Sequence, residues 1–308
     1  MQRLVLLLFL LSPLLLTTLT STATAGKLDD VRKAVNNDAS GSNNASTSSA
    51  STHYDQDYDG DSGTSGGADY PPELICLAVP AMLFCVPYFA LEGFPSDDNE
   101  RGATYFNAYP YASSGAGLLR FVSEANTGSP EEQSAARAAL VAEENLSRIS
   151  LRFALEYGLD FGMVHQPAAE FSLHSSSRFG FSTRWTQLLE NSHGTIDHLG
   201  MSVTQIIFRF AQAEQLQFQT GVGLRLLVDG HDLTPGFNFS YGVDIQPGDP
   251  ILVHAAIEIG NLGDAFLFGA RSTFGVMLPP CEVFLGLDVL LINPVLFIGP
   301  VAGVRAWF

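Results

Sequence analysis

Along Ile149–Met163 the chain alternates without a break. Ile149, Leu151, Phe153, Leu155, Tyr157, Leu159, Phe161 and Met163 are separated by Ser150, Arg152, Ala154, Glu156, Gly158, Asp160 and Gly162. Successive side chains of a strand point to opposite faces, so one face here is wholly apolar and the other holds charges and small residues. Strands of soluble proteins mostly run about 5–6 residues, whereas a longer run suits a tilted strand in a bilayer. The same alternation recurs to Phe308. One run joins Phe171, Leu173, Phe179, Phe181 and Trp185. In the next, Leu199, Met201 and Val203 hand over to Ile206, Phe208 and Phe210, a phase change that predicts a bulge near Thr204-Gln205. Further runs centre on Leu216–Val228, Phe237–Ile245, Ile251–Ile259, Phe266–Val276, Val283–Leu291 and Leu296–Phe308.

Turn-forming residues separate these runs at Gln246–Pro250, Asn261–Asp264, Pro279-Pro280 and Asn293-Pro294. Short connections between long strands predict an all-β fold, a closed antiparallel up-and-down β-barrel of 8–10 strands over 148–308, since closure removes exposed edges. Nine segments are legible, against the even number of a bacterial single-chain barrel, so either a tenth strand lies upstream, between Ile75 and Val122, or one of the nine is misread. That count makes 164–170 a connection on the side of the termini. It also puts Asn191–Asp197 and the helix at 129–145 on the outer side.

Alternation alone does not say which face meets water. Lys27 and Lys33 are the only lysines and neither lies in the strand region, where a soluble domain would display several. The apolar face is therefore expected to meet lipid. The polar face then lines a lumen and carries Arg152, Arg178, Arg184, Arg209, Arg225, Arg271 and Arg305 against Glu156, Asp160, Asp229, Asp244, Glu258, Glu282 and Asp288. Balanced charges in so narrow a space point to cross-strand pairing, because unpaired charge there is costly.

Upstream, residues 1–25 have the layout of a secretory signal: Arg3, the apolar Leu4–Leu16, and Ala23-Thr24-Ala25 as a small-residue cleavage site. Residues 26–70 are poor in aliphatic side chains and read as a disordered acidic spacer. The net charge of −17 is densest in this front half, and an acidic chain without a basic patch is a poor nucleic-acid binder. Asp55, Asp57, Asp59, Gly60 and Asp61 imitate a calcium loop, but Gly66 stands where the bidentate Glu belongs. Segment 71–128 holds the uncharged stretch Ile75–Leu91, which is read either as an extended plug or as a helical span; Pro80 and Pro87 oppose the helix. Cys76 and Cys85 are close enough to pair, or they are simply packed apolar residues, as Cys281 is. Ser129-Pro130-Glu131-Glu132 starts a helix within 129–147. No metal cluster, phosphate loop or cofactor motif is legible. Ser240, Asp244, His254 and Glu258 share one face of neighbouring strands and are the residues a barrel-embedded lipid hydrolase would use.

The strands RFGFSTRW, FRFAQAEQLQFQTGVGLRLLVD and GFNFSYGVDI and the ending GVRAWF allow a comparison with known families. The last strand, with Val304, Ala306 and Phe308 at alternate positions, resembles the C-terminal strand signature of bacterial outer-membrane β-barrel proteins, although Pro300 departs from it. The resemblance implies outer-membrane localisation and recognition by the barrel assembly machinery. The strand motifs over 148–308 are also similar to a group of planctomycete proteins, which brings no activity with it. The leading expectation is a non-enzymatic outer-membrane barrel, embedded in membrane lipid, with a structural or envelope-interaction role. A narrow passive pore, the lipid hydrolase and a secreted soluble barrel binding an apolar ligand are the alternatives.

Overall fold

Long alternating strands leave backbone donors and acceptors open along both edges, and a sheet escapes that cost only by closing on itself. In the computed structural model, which describes residues 26–36, 102–112, 117–123, 129–161, 164–192 and 195–308, the sheet does close. In chain order the elements are helix α1 (Lys27–Asn36), strands β1 (Gly102–Phe106) and β2 (Leu119–Ser123), and helix α2 (Pro130–Glu143). Ten barrel strands follow: β3 (Ile149–Leu159), β4 (Val164–Ser175), β5 (Phe179–Ser192), β6 (Thr195–Ala213), β7 (Leu216–Asp229), β8 (Asp232–Gly248), β9 (Ile251–Leu262), β10 (Ala265–Leu278), β11 (Cys281–Ile292) and β12 (Val295–Trp307). Each pairs antiparallel with its sequence neighbour, and β12 pairs with β3 from Val301↔Gly158 to Trp307↔Arg152. Phe308 extends the seam by exchanging two backbone hydrogen bonds of 2.9 Å with Leu151. Pro300, which has no N–H to give, sits one residue before this seam begins.

The tenth strand is not upstream. It lies within 164–192, where β4 and β5 are parted by the tight turn Ser176-Ser177-Arg178. Phe171, Leu173, Phe179 and Phe181 keep one parity across that turn, so two strands read as one. With ten strands in 149–307, residues 164–170 belong to β4 itself. The strand ends Leu159 and Val164, and Ser192 and Thr195, lie together at the end opposite Phe308. β1 and β2 stand apart from the barrel as a two-stranded ribbon. Nor is there a bulge at Thr204-Gln205: the β5–β6 register runs unbroken through Thr183↔Thr204 and Ser182↔Gln205. The phase change has another cause. Leu199, Met201 and Val203 are buried and face inward, while Ile206 and Phe208 are exposed and face out. The one register shift on β6 falls between Arg209 and Ala211.

Both mouths are closed by the chain itself. At the mouth that holds the β7/β8, β9/β10 and β11/β12 turns sits α1, in a segment expected to be a disordered spacer. Leu28, Val31 and Val35 recur at helical spacing and are buried against inward residues that include Val164, Leu188, Leu199, Leu227, Leu267 and Phe297. An isolated helix of this length is marginal in water, and burying those three side chains contributes about 1.5–3 kcal/mol each, so docking holds it. Gly263 turns with φ +56, and a Cβ there would collide with the carbonyl of Val35, so the β9/β10 turn is shaped to the helix.

At the opposite mouth, the β1–β2 ribbon packs Phe106, Leu119 and Phe121 against Leu252, Met277 and Trp307. The Arg209 guanidinium lies over the Phe106 ring, 4.8 Å from its centroid. Leu118 donates its N–H to Gln246 Oε1 at 2.5 Å. α2 opens with the expected capping box: Ser129 Oγ accepts from Glu132 N and Glu132 Oε2 accepts from Ser129 N. It leads into β3 at the end that holds Phe308, not at the far end. The remaining expectations for the front of the chain (the leader 1–25, the acidic run, the calcium-like loop, Ile75–Leu91, and Cys76 with Cys85) lie outside the described residues. Cys281 is a free thiol.

Closure gives a direct test. With Cys76, Cys85 and Cys281 replaced by serine, Leu155→Cys and Val304→Cys are paired directly across the β12–β3 seam and should oxidise to a disulfide, visible as a gel-mobility shift. Leu155→Cys with Val283→Cys, two strands apart at about 10 Å, should not.

Candidate functional site

The inward positions of the ten strands divide into three layers. An apolar layer lies under α1, a second lies under the β1–β2 ribbon, and the charged residues stand between. In the middle layer Glu156, buried on β3, faces two arginines: Arg184 Nη2 at 2.6 Å and Arg271, which grips both carboxylate oxygens. Asp288 joins from β11, 3.3 Å from Arg184 and 3.8 Å from Arg271. Arg305 and Glu282 form a bidentate pair at 2.8 and 2.9 Å, with the guanidinium stacked over Phe284. Arg225 pairs with Glu258 and donates to Asn238 Oδ1 at 2.9 Å. Arg152 donates to Ser172 Oγ at 2.9 Å and Glu170 Oε1 at 3.2 Å, and lies over the Trp307 ring. Asp244 pairs with His254. Arg152, Glu170, Arg184, Arg225, His254, Glu258, Arg271, Asp288 and Arg305 from this layer line a cavity of about 100 Å³.

Three of the expected lumen charges stand elsewhere. Arg178 sits in the β4/β5 turn with φ +70 and donates to the Phe210 carbonyl at 3.3 Å. Asp160 and Asp229 lie at the α1 mouth and are engaged by the helix. Lys27 Nζ reaches Asp160 Oδ2 at 2.7 Å and the Leu296 carbonyl at 3.1 Å, and both charged side chains are nearly excluded from water. Arg32 forms a fork between Asp197 (2.6 and 2.7 Å) and Asp229 (2.6 Å). The hydrogen bonds that Arg32 donates to Asp197 and then to Asp229 hold its guanidinium above its ordinary pKa. Glu190, 3% exposed, caps α1 from below: Oε1 accepts from Gly26 N (2.7 Å) and Lys27 N (3.2 Å), and Oε2 from Leu28 N (3.0 Å).

Sequence reasoning missed Glu170, Glu190, Asp197 and, on α1, Lys27 and Arg32. The parity of β4 and β5 was available for the first two. For the helix, the apolar spacing Leu28, Val31, Val35 was the signal, hidden in a polar segment.

The hydrolase arrangement is not assembled. Ser240 stands opposite Glu258 and donates to Gln205 Oε1 at 2.8 Å, whereas His254 stands opposite Asp244, four residues further along β8. No proton-accepting imidazole meets the serine hydroxyl, as nucleophile activation requires.

No family model and no curated protein matches the chain. Among solved structures it is similar to Neisserial surface protein A, at 12% identity over 52% of this chain and 96% of that one, with a TM-score of 0.28. It is also similar to Ail, the attachment invasion locus protein of Yersinia pestis, at 12% identity and the same coverages, with a TM-score of 0.24. A structure of Ail with the heparin analogue sucrose octasulfate gives 11% identity and 0.25. Overlaps this loose carry no argument, and the architecture rests on the strand ladders.

The buried triad sets a measurable cost. Glu156→Gln leaves Arg184 and Arg271 sharing the single carboxylate of Asp288, and should lower stability by about 3–5 kcal/mol in urea unfolding. Adding Arg271→Met to that variant removes the excess cation and should recover part of the loss.

Proposed function

We propose that this chain is a sealed, non-catalytic β-barrel of a bacterial outer membrane, with a structural or envelope-interaction role, exported by a leader cleaved after Ala25. One observation carries the reading. Among the described residues, the outward positions of all ten strands hold no Asp, Glu, Lys or Arg. They hold instead a continuous band of large apolar residues such as Leu155, Phe181, Ile206, Leu224, Phe237 and Leu285, all exposed. A soluble barrel does the reverse, with its apolar face inside and its charges in water. Strands of 11 to 19 residues are long enough for a tilted crossing.

With an even strand number, both ends of the barrel domain share one side, which the outer-membrane reading makes the periplasm. The β1–β2 ribbon and α2 then belong to the periplasmic mouth and α1 to the outer one. Val304 and Phe308 are exposed on the outward face, beside the seam. That placement supports the reading of Val304, Ala306 and Phe308 as the signal for the assembly machinery. A narrow pore is the second reading, favoured by the small polar cavity between the two caps, and it requires a cap to leave.

Two measurements test the proposal. The protein should fractionate with membranes and need detergent for release; recovery in the soluble periplasmic fraction would sink the membrane reading. The intact protein in a planar bilayer should show no steady conductance, and a stable ohmic current would replace the sealed barrel with the pore.

A further inference from the structure

We propose that Glu190 is the receptor for the amino terminus that leader cleavage creates, so that processing locks α1 into the barrel mouth through a buried ion pair. This rests on the export reading above. Two independent observations meet at one bond. The small-residue pattern Ala23-Thr24-Ala25 places cleavage between Ala25 and Gly26. The fold places Gly26 N 2.7 Å from the carboxylate of Glu190, a side chain of the inner wall that is almost wholly excluded from water.

Glu190 lacks a cation that its burial calls for. Its partners are the three backbone N–H groups of Gly26, Lys27 and Leu28, and among the described residues no Lys or Arg side chain lies within ion-pair distance of it. Lys27, whose backbone N–H bonds Glu190, has its side-chain ammonium committed to Asp160 and the Leu296 carbonyl. A buried carboxylate held only by neutral donors is expensive compared with one facing a formal positive charge. Hydrolysis supplies that charge. A signal-cleaving endopeptidase adds the oxygen of water to the Ala25 carbonyl, which leaves as a carboxylate, and the Gly26 nitrogen takes up protons to become –NH₃⁺. A free α-amino group has a pKa of about 7.7–8.0 and is mostly charged at neutral pH even before the carboxylate favours it. The neutral amide donor of the precursor becomes a charge-assisted donor at the same position. Gly26 has φ +104, a conformation that suits glycine, and nothing lies within 4 Å of the position its Cβ would take.

The test compares refolded chains that begin at Gly26 with chains that carry an acetyl group on the Gly26 nitrogen alone. Acetylation keeps the N–H and removes the charge; Glu190→Gln keeps the acceptor and removes the opposite charge. Hydrogen exchange of residues 27–36 reads the docking of α1. Each single change should speed exchange by about tenfold or more, and the two together should be no worse than one. If acetylation leaves exchange unchanged while Glu190→Gln accelerates it, Glu190 only caps the helix and the proposal fails. Additive effects would likewise overturn it. N-terminal sequencing of membrane-extracted protein should begin at Gly26. A different start would overturn the processing step and leave the barrel reading standing, while soluble fractionation would defeat the barrel reading without touching the exchange result.

Discussion

Everything in this fold follows from the charged interior. A closed antiparallel sheet satisfies its backbone but encloses whatever its inward side chains carry. Here they carry arginines and acids, each of which would cost several kcal/mol if stranded away from water. The answer is pairing across the lumen. Glu156 joins β3 to β5 and β10 through Arg184 and Arg271, and Arg225 joins β7 to β9 through Glu258. Such ties fix register as well as charge, because a slip of one residue would turn Arg271 or Glu156 out toward the apolar face.

How much of this was legible in the sequence depends on the range of the signal. Period-two alternation is local, so the barrel, its outward apolar face and most of the lumen charges could be read directly. Features set by contacts between distant parts of the chain could not. β4 and β5 merged because the turn Ser176-Ser177-Arg178 preserves the parity of Phe171 and Phe179. On β6 the inward face is apolar near Leu199 and Met201 and polar at Gln205 and Arg209, because the first pair lies under α1 and the second does not. That switch imitates a bulge, and only the place of α1 explains it. The helix itself was obscured because its surroundings are polar and its binding surface lies more than a hundred residues away.

The two caps answer different physical needs. The ribbon at the terminal mouth relies on aromatic packing and on Arg209 lying over Phe106. α1 adds ions to its apolar contact: Lys27 on Asp160, Arg32 between Asp197 and Asp229, and Glu190 beneath its first turn. Three apolar residues on a short helix could settle in several rotations or depths with similar burial. Charged partners at three points of the rim select one, since any other pose strands at least one acid.

The caps and the charged layer also support one another energetically. Coulomb attraction between partners strengthens as the effective dielectric falls, and so does the penalty for a charge without one. The helix and the ribbon place apolar layers over both mouths and so lower the effective dielectric in the middle of the lumen. This makes the Glu156 and Arg305 pairs stronger ties and makes their disruption more costly. Opening a mouth would therefore both hydrate the network and weaken the cross-strand ties that set the shape of the rim. The barrel is stable as a set of mutually dependent parts, in which the seal at each end determines how firmly the charges between them hold.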